Sequence, residues 1–93
     1  MKKIAPKIFE QELTDELRRQ YYDMLVNEAA MIVERCEDFE AVMDGEANIS
    51  YDIYKEFDNR LYLIKGTIYY ENGLSTHVDE MYELEDGELG MLN

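Results

Sequence analysis

Residues 58–73 read DNRLYLIKGTIYYENG, a strand-like run held between the pairs Asp58-Asn59 and Asn72-Gly73. Asn-Gly is a favoured pair for a two-residue hairpin turn because both central residues take positive φ, and Asp-Asn is a weaker version of the same chemistry. The punctuation recurs on either side: Asp44-Gly45 and Asp86-Gly87 extend the series at a spacing of 14 residues. Between the turns lie 46–57, 60–71 and 74–85, segments of 12 residues that are too unlike one another to be a sequence repeat. The spacing predicts a three-stranded antiparallel meander.

Two-residue turns set the register of the strands they join. Across Asp58-Asn59, Ile53 faces Ile64, Ile49 faces Ile68, Ala47 faces Tyr70, and Tyr51 lies over Gly66, its ring filling the space a strand glycine leaves. Across Asn72-Gly73, Ile68 faces His77 and Ile64 faces Met81. One face then carries Ile49, Tyr51, Ile53, Phe57, Tyr62, Ile64, Ile68, Tyr70 and Met81, and is apolar enough to be the core.

The opposite face is mixed. Leu63 falls between Tyr54 and Tyr82, and Leu61 opposite Leu84, a cluster at the Asp58-Asn59 end. Lys65 falls between Asp52 and Glu80 as a cross-strand ion ladder, Thr67 between Ser50 and Val78, and Tyr69 completes this face. Either the 37–44 segment (Phe39, Val42, Met43) or the tail (Met91, Leu92) covers the cluster, or another chain does. Left open, a Tyr-rich patch rimmed by acid has the composition of an interface centre.

Before the meander, Leu13, Leu17, Tyr21, Met24, Leu25, Ala29, Ile32 and Cys36 recur at intervals that place them on one helical stripe. TDEL at 14–17 supplies a Thr N-cap and two first-turn acids. The helix is expected over 14–36, with an earlier turn opened by Pro6. Residues 37–44, EDFEAVMD, fit a strand or a helix equally. The expected architecture is α+β: one long N-terminal helix packed on an antiparallel meander of three strands, or four if 37–44 adds one. The 93 residues make one domain, with a lead-in at 1–13, the helix at 14–36, an acidic connector and meander at 37–85, and a flexible tail at 86–93.

Charge is the other strong signal. Net charge is -13, and after Phe9 the chain holds 22 acids against six bases. Two stretches concentrate it: Glu34–Glu46, with Glu37, Asp38, Glu40, Asp44 and Glu46, and Asp79–Glu88, with Asp79, Glu80, Glu83, Glu85 and Asp86. Direct nucleic-acid binding is disfavoured, since phosphate neutralisation needs Lys and Arg. A basic protein partner would be steered toward such a surface. No apolar run reaches the ~18 residues of a membrane span. The lone Cys36 forms no internal disulfide, and with no export signal after Met1-Lys2-Lys3 a cytoplasmic setting is expected.

Chemistry-bearing patterns are scarce. His77 is the only histidine, with Asp79 two residues on and Ser75 beside the turn, and a local surface hydrogen bond is the expected role. Cys36 reads as a packing residue. ELEDGELG at 83–90 is acidic and contains glycine but lacks the ligand ladder of a calcium loop. Metal-ligand spacing and phosphate loops are absent, so no cofactor and no enzyme activity are expected. Tyr21, Tyr51, Tyr62 and Tyr70 are expected in the core, and Tyr22, Tyr54, Tyr69 and Tyr82 at contacts.

The leading expectation is a small acidic protein-binding module. In its sharper form it is a stoichiometric inhibitor of a nucleic-acid-processing protein, a nucleic-acid mimic with the size and charge common among phage anti-defence and toxin-immunity proteins. The two acidic strips would meet the partner, with Tyr54, Leu63 and Tyr82 as apolar anchors. The alternative is a homodimeric accessory protein joined through Tyr54, Leu61, Leu63, Tyr82 and Leu84, its acidity serving solubility.

Overall fold

The computed structural model describes residues 1–37 and 39–85. The chain runs β1 (Lys2–Ile4), α1 (Pro6–Glu12), α2 (Asp15–Glu34), α3 (Phe39–Met43), β2 (Ile49–Phe57), β3 (Arg60–Tyr70) and β4 (Leu74–Leu84). The strands form one antiparallel sheet in the order β1-β4-β3-β2, with the helices packed on one face. This is the expected α+β class. The fourth strand is not 37–44 but the N-terminal Lys2–Ile4, which pairs with β4 at Glu83, Tyr82 and Met81.

Helix α2 begins where its cap dictates: Thr14 Oγ1 accepts the Leu17 N–H at 3.2 Å, and Asp15 and Glu16 occupy the first turn. Tyr21, Leu25, Ala29 and Val33, four residues apart, are its buried stripe. Pro6 opens α1 at its first turn, so the lead-in holds a strand and a helix. Arg18 joins the two helices, donating to the backbone oxygens of Glu10 at 3.0 Å and Leu13 at 3.1 Å.

The first hairpin matches its expected register from Ile49 to Phe57, Ile53 against Ile64, Ile49 against Ile68 and Tyr51 against Gly66, while the expected Ala47–Tyr70 pair lies beyond the ladder. Asp58 and Asn59 both take positive φ, 51° and 62°. The second hairpin departs from expectation. Its strands close at Tyr70 and Leu74, so three residues intervene, Glu71, Asn72 and Gly73, with Asn72 at φ 58°. That slip of one residue flips every side chain from Leu74 to Val78. A bulge at Asp79 then restores the register, Gly66 facing Val78 but Lys65 facing Glu80. Ile68 therefore faces Thr76 instead of His77, Thr67 faces His77 instead of Val78, and Val78 joins the core. Ile64 still meets Met81, because the two irregularities cancel.

The core forms two clusters. Phe9, Tyr21, Phe57 and Tyr62 meet edge to face, with Phe9 centred 5.2 Å from both tyrosine rings, and Leu25, Ile64, Val78 and Met81 complete this cluster. Ala29, Val33, Val42, Tyr51 and Ile68 make the second. Asp44-Gly45 is no hairpin turn: Gly45, at φ 76°, caps α3, its N–H bonding the Val42 carbonyl and that of Glu46 the Ala41 carbonyl. Tyr70, expected in the core, is exposed at the strand end. Asp38, Asp86 and the tail at 86–93 lie outside the described residues.

Candidate functional site

Four carboxylates gather on and beside α3. Val42 points inward and is completely buried against Tyr51 and Ile68. Glu40 lies on this helix, Glu37 precedes it and Asp44 follows it, and all three border the same hollow. The Gly45 cap folds the chain back and brings Glu46 to the same place. These four carboxylates and Ala41 line one hollow of about 370 Å³. Among the described residues no Lys, Arg or His lines it. Among the described residues none of the four side chains has a hydrogen-bond or ion-pair partner.

The arrangement has opposed local effects: Glu40 occupies the first turn of α3, where the macrodipole favours an acid, but its neighbours are of the same sign. Like charges three or four residues apart destabilise a helix by about 0.2–0.5 kcal/mol per pair. Asp44 also lies at the helix C-terminus, where the macrodipole favours a cation. Among the described residues no three His, Cys, Asp or Glu side chains are arranged to hold a metal ion.

The second acidic stretch does not form a strip. The Asp79 carboxylate accepts the Thr67 hydroxyl at 2.7 Å, and its other oxygen lies 3.7 Å from His77 Nε2. Glu80 accepts the Tyr82 hydroxyl at 3.0 Å and faces Lys65, which faces Asp52 across the other ladder as expected. Glu83 pairs with Arg60 at 3.3 Å on the helix side of the sheet, opposite Lys2. Glu85 is exposed. These acids are divided between the two faces and largely engaged within the fold. Glu83 also lies far from the hollow: Gly45 sits against the Tyr70 carbonyl, whereas Glu83 faces Tyr62, roughly 27 Å away at the rise of a strand.

The expected apolar cluster is present in register, Tyr54–Leu63–Tyr82 and Leu61–Leu84. Its exposure differs from expectation. Leu63 and Leu84 are buried, at 6% and 7%, Leu61 and Tyr82 are half-buried, and only Tyr54 is open, at 45%. Phe39 is exposed and Val42 turns to the core face, while Met91 and Leu92 lie outside the described residues.

The His77–Asp79–Thr67 group is not a nucleophile-activating triad. Such a triad needs the imidazole between hydroxyl and carboxylate, and here the carboxylate stands in the middle. Tyr21 is the one buried side chain whose polar atom lacks a partner among the described residues, and burial pushes its hydroxyl well above the ordinary tyrosine range, with Glu10 adding to it. No helix of the described residues is long and apolar enough to cross a membrane. Comparison with protein-family models, with curated proteins and with solved structures finds no match.

Proposed function

We propose that this chain is a small acidic protein-binding module that engages a basic surface through the α3 hollow. Supporting this is the convergence of Glu37, Glu40, Asp44 and Glu46 on one concavity with no cationic side chain in its lining among the described residues. An incoming Lys or Arg relieves the repulsion among these like charges and is attracted by about 1 kcal/mol per contact at 4 Å in water. In the sharper form, the carboxylates occupy the positions of nucleic-acid phosphates on a nucleic-acid-processing protein, and the chain acts as its stoichiometric inhibitor.

The homodimer reading has less behind it, since Leu63 and Leu84 are already buried within one chain. Two measurements separate the readings. Immobilised chain is presented with cell extract at low and high salt, beside a variant carrying Glu37→Gln, Glu40→Gln, Asp44→Gln and Glu46→Gln. The module reading expects a basic protein retained at low salt, released by high salt and lost with the variant. A binding profile indifferent to the four substitutions sinks it. A dimer that persists at high salt by light scattering favours the seam at Tyr54 and Tyr82 instead.

A further inference from the structure

Strand β1 is short. It accompanies β4 only at Met81, Tyr82 and Glu83 before Pro6 opens α1 and takes the chain off the sheet. Upstream of Met81, the outer edge of β4 from Leu74 to Glu80 has no strand beside it among the described residues. Such an edge offers unpaired N–H and C=O groups at ladder spacing.

The sheet's two edges are not equivalent. Strand β2 carries Asp52, Lys55 and Glu56, charges of the kind that discourage strand addition, while Leu74–Val78 carries no Asp, Glu, Lys or Arg. The β4 edge also borders a cleft of about 390 Å³ whose far wall is α2. Tyr22, Leu25 and Val26 line that wall, facing Leu74, Thr76 and Val78. Tyr22 and Val26, one turn apart, remain 43% and 46% exposed. At the α1 end Lys7 and Glu10 offset each other, and the Glu10 carboxylate already accepts the Tyr22 hydroxyl.

We propose that this cleft takes an extended segment of a basic protein, added as a strand along β4 between Leu74 and Asp79. Main-chain hydrogen bonds to the edge supply affinity, and alternate apolar side chains pack against Tyr22 and Val26. The cleft lining is itself nearly neutral, so the net charge of the chain and the neighbouring hollow select the occupant. A second copy of this chain would bring another charge of -13 to a surface of the same sign. A segment flanked by Lys or Arg is attracted instead, and the α3 hollow lies at the Leu74 end of the edge, where Val42 and Leu74 share one core cluster. The inference rests on the acidic-module reading and adds to it the site and the binding mode.

The test uses the full chain, labelled for amide NMR. The probe is a peptide of alternating Val and Lys, and the control is the same peptide methylated on every backbone nitrogen, equal in charge and side chains but unable to donate. Expected are shift changes and slowed amide exchange over 74–79, together with shifts at Tyr22 and Val26, and at least tenfold weaker binding of the control. Val26→Lys, at an exposed position, should weaken the peptide at least tenfold with Tm unchanged. Equal affinity for the two peptides, or shifts confined to Glu37, Glu40, Asp44 and Glu46, overturns strand addition and leaves the acidic module standing. No binding of either peptide at low salt overturns both.

Discussion

Replacing Gly66 by Ala tests how the sheet and its bulge are built. A Cβ at this position would stand 2.5 Å from the Tyr51 hydroxyl oxygen, 2.6 Å from Tyr51 Cζ and 2.7 Å from the His77 carbonyl oxygen. The carbonyl is backbone, two residues before the Asp79 bulge, and moves only with the ladder. The ring is held at its tip by the 2.6 Å hydrogen bond between the Tyr51 and Thr76 hydroxyls. Overpacking of this kind costs about 1–3 kcal/mol. Displacing the ring adds about 1 kcal/mol for the lost hydrogen bond. The stiffer unfolded chain returns roughly 0.4–1 kcal/mol. The net expectation is a loss of about 2 kcal/mol, which lowers Tm by roughly 8–16 °C in a domain of this size. Urea and thermal melts measure the loss, and a cycle with Tyr51→Leu identifies its source. With the ring gone, Gly66→Ala should cost at least ~1 kcal/mol less. A Gly66→Ala protein within ~0.5 kcal/mol of the parent, or an equal cost in both backgrounds, would refute the account.

Three further outcomes follow from the same geometry. Val42→Ala should cost about 2 kcal/mol in urea melts, because a completely buried side chain is the anchor of a five-residue helix; a loss under ~0.5 kcal/mol would mean that α3 is not packed as described. Asn59→Gly should stabilise by up to about 1 kcal/mol, since Asn59 holds φ 62° where an L side chain is strained; a Tm that falls instead contradicts the turn. Burial holds the Tyr21, Tyr51 and Tyr62 hydroxyls above the ordinary value of about 10, so above that pH the unfolded chain releases protons that the native chain keeps, and stability falls as pH rises. Phenolate absorbance should therefore appear partly in step with alkaline unfolding, and ionisation of all eight tyrosines before any loss of structure would contradict it.

The features legible in the sequence are those with local physical causes. Thr14, Asp15 and Glu16 announce the start of α2, and the stripe through Tyr21, Leu25 and Ala29 gives its buried side, although Val33 rather than the expected Ile32 and Cys36 completes it. Asp58-Asn59 alone sets the whole β2–β3 register, including Tyr51 over Gly66, because a two-residue turn leaves one pairing that keeps the apolar face together. What tertiary structure decided lies where local signals were degenerate. Glu71-Asn72-Gly73 serves a two- or a three-residue turn, and the choice, with its compensating bulge at Asp79, puts Val78 in the core and His77 outside. Lys2-Lys3-Ile4 is too short to declare itself a strand and becomes one because β4 has a free edge at Met81–Glu83. Residues 39–43 read equally well with period two or period 3.6, and burial of Val42 between α2 and β3 selected the helix. The same stretch holds the candidate site, where Glu40 on α3 and Glu37, Asp44 and Glu46 flanking it line one hollow, while the acids of β4 are dispersed to its two faces.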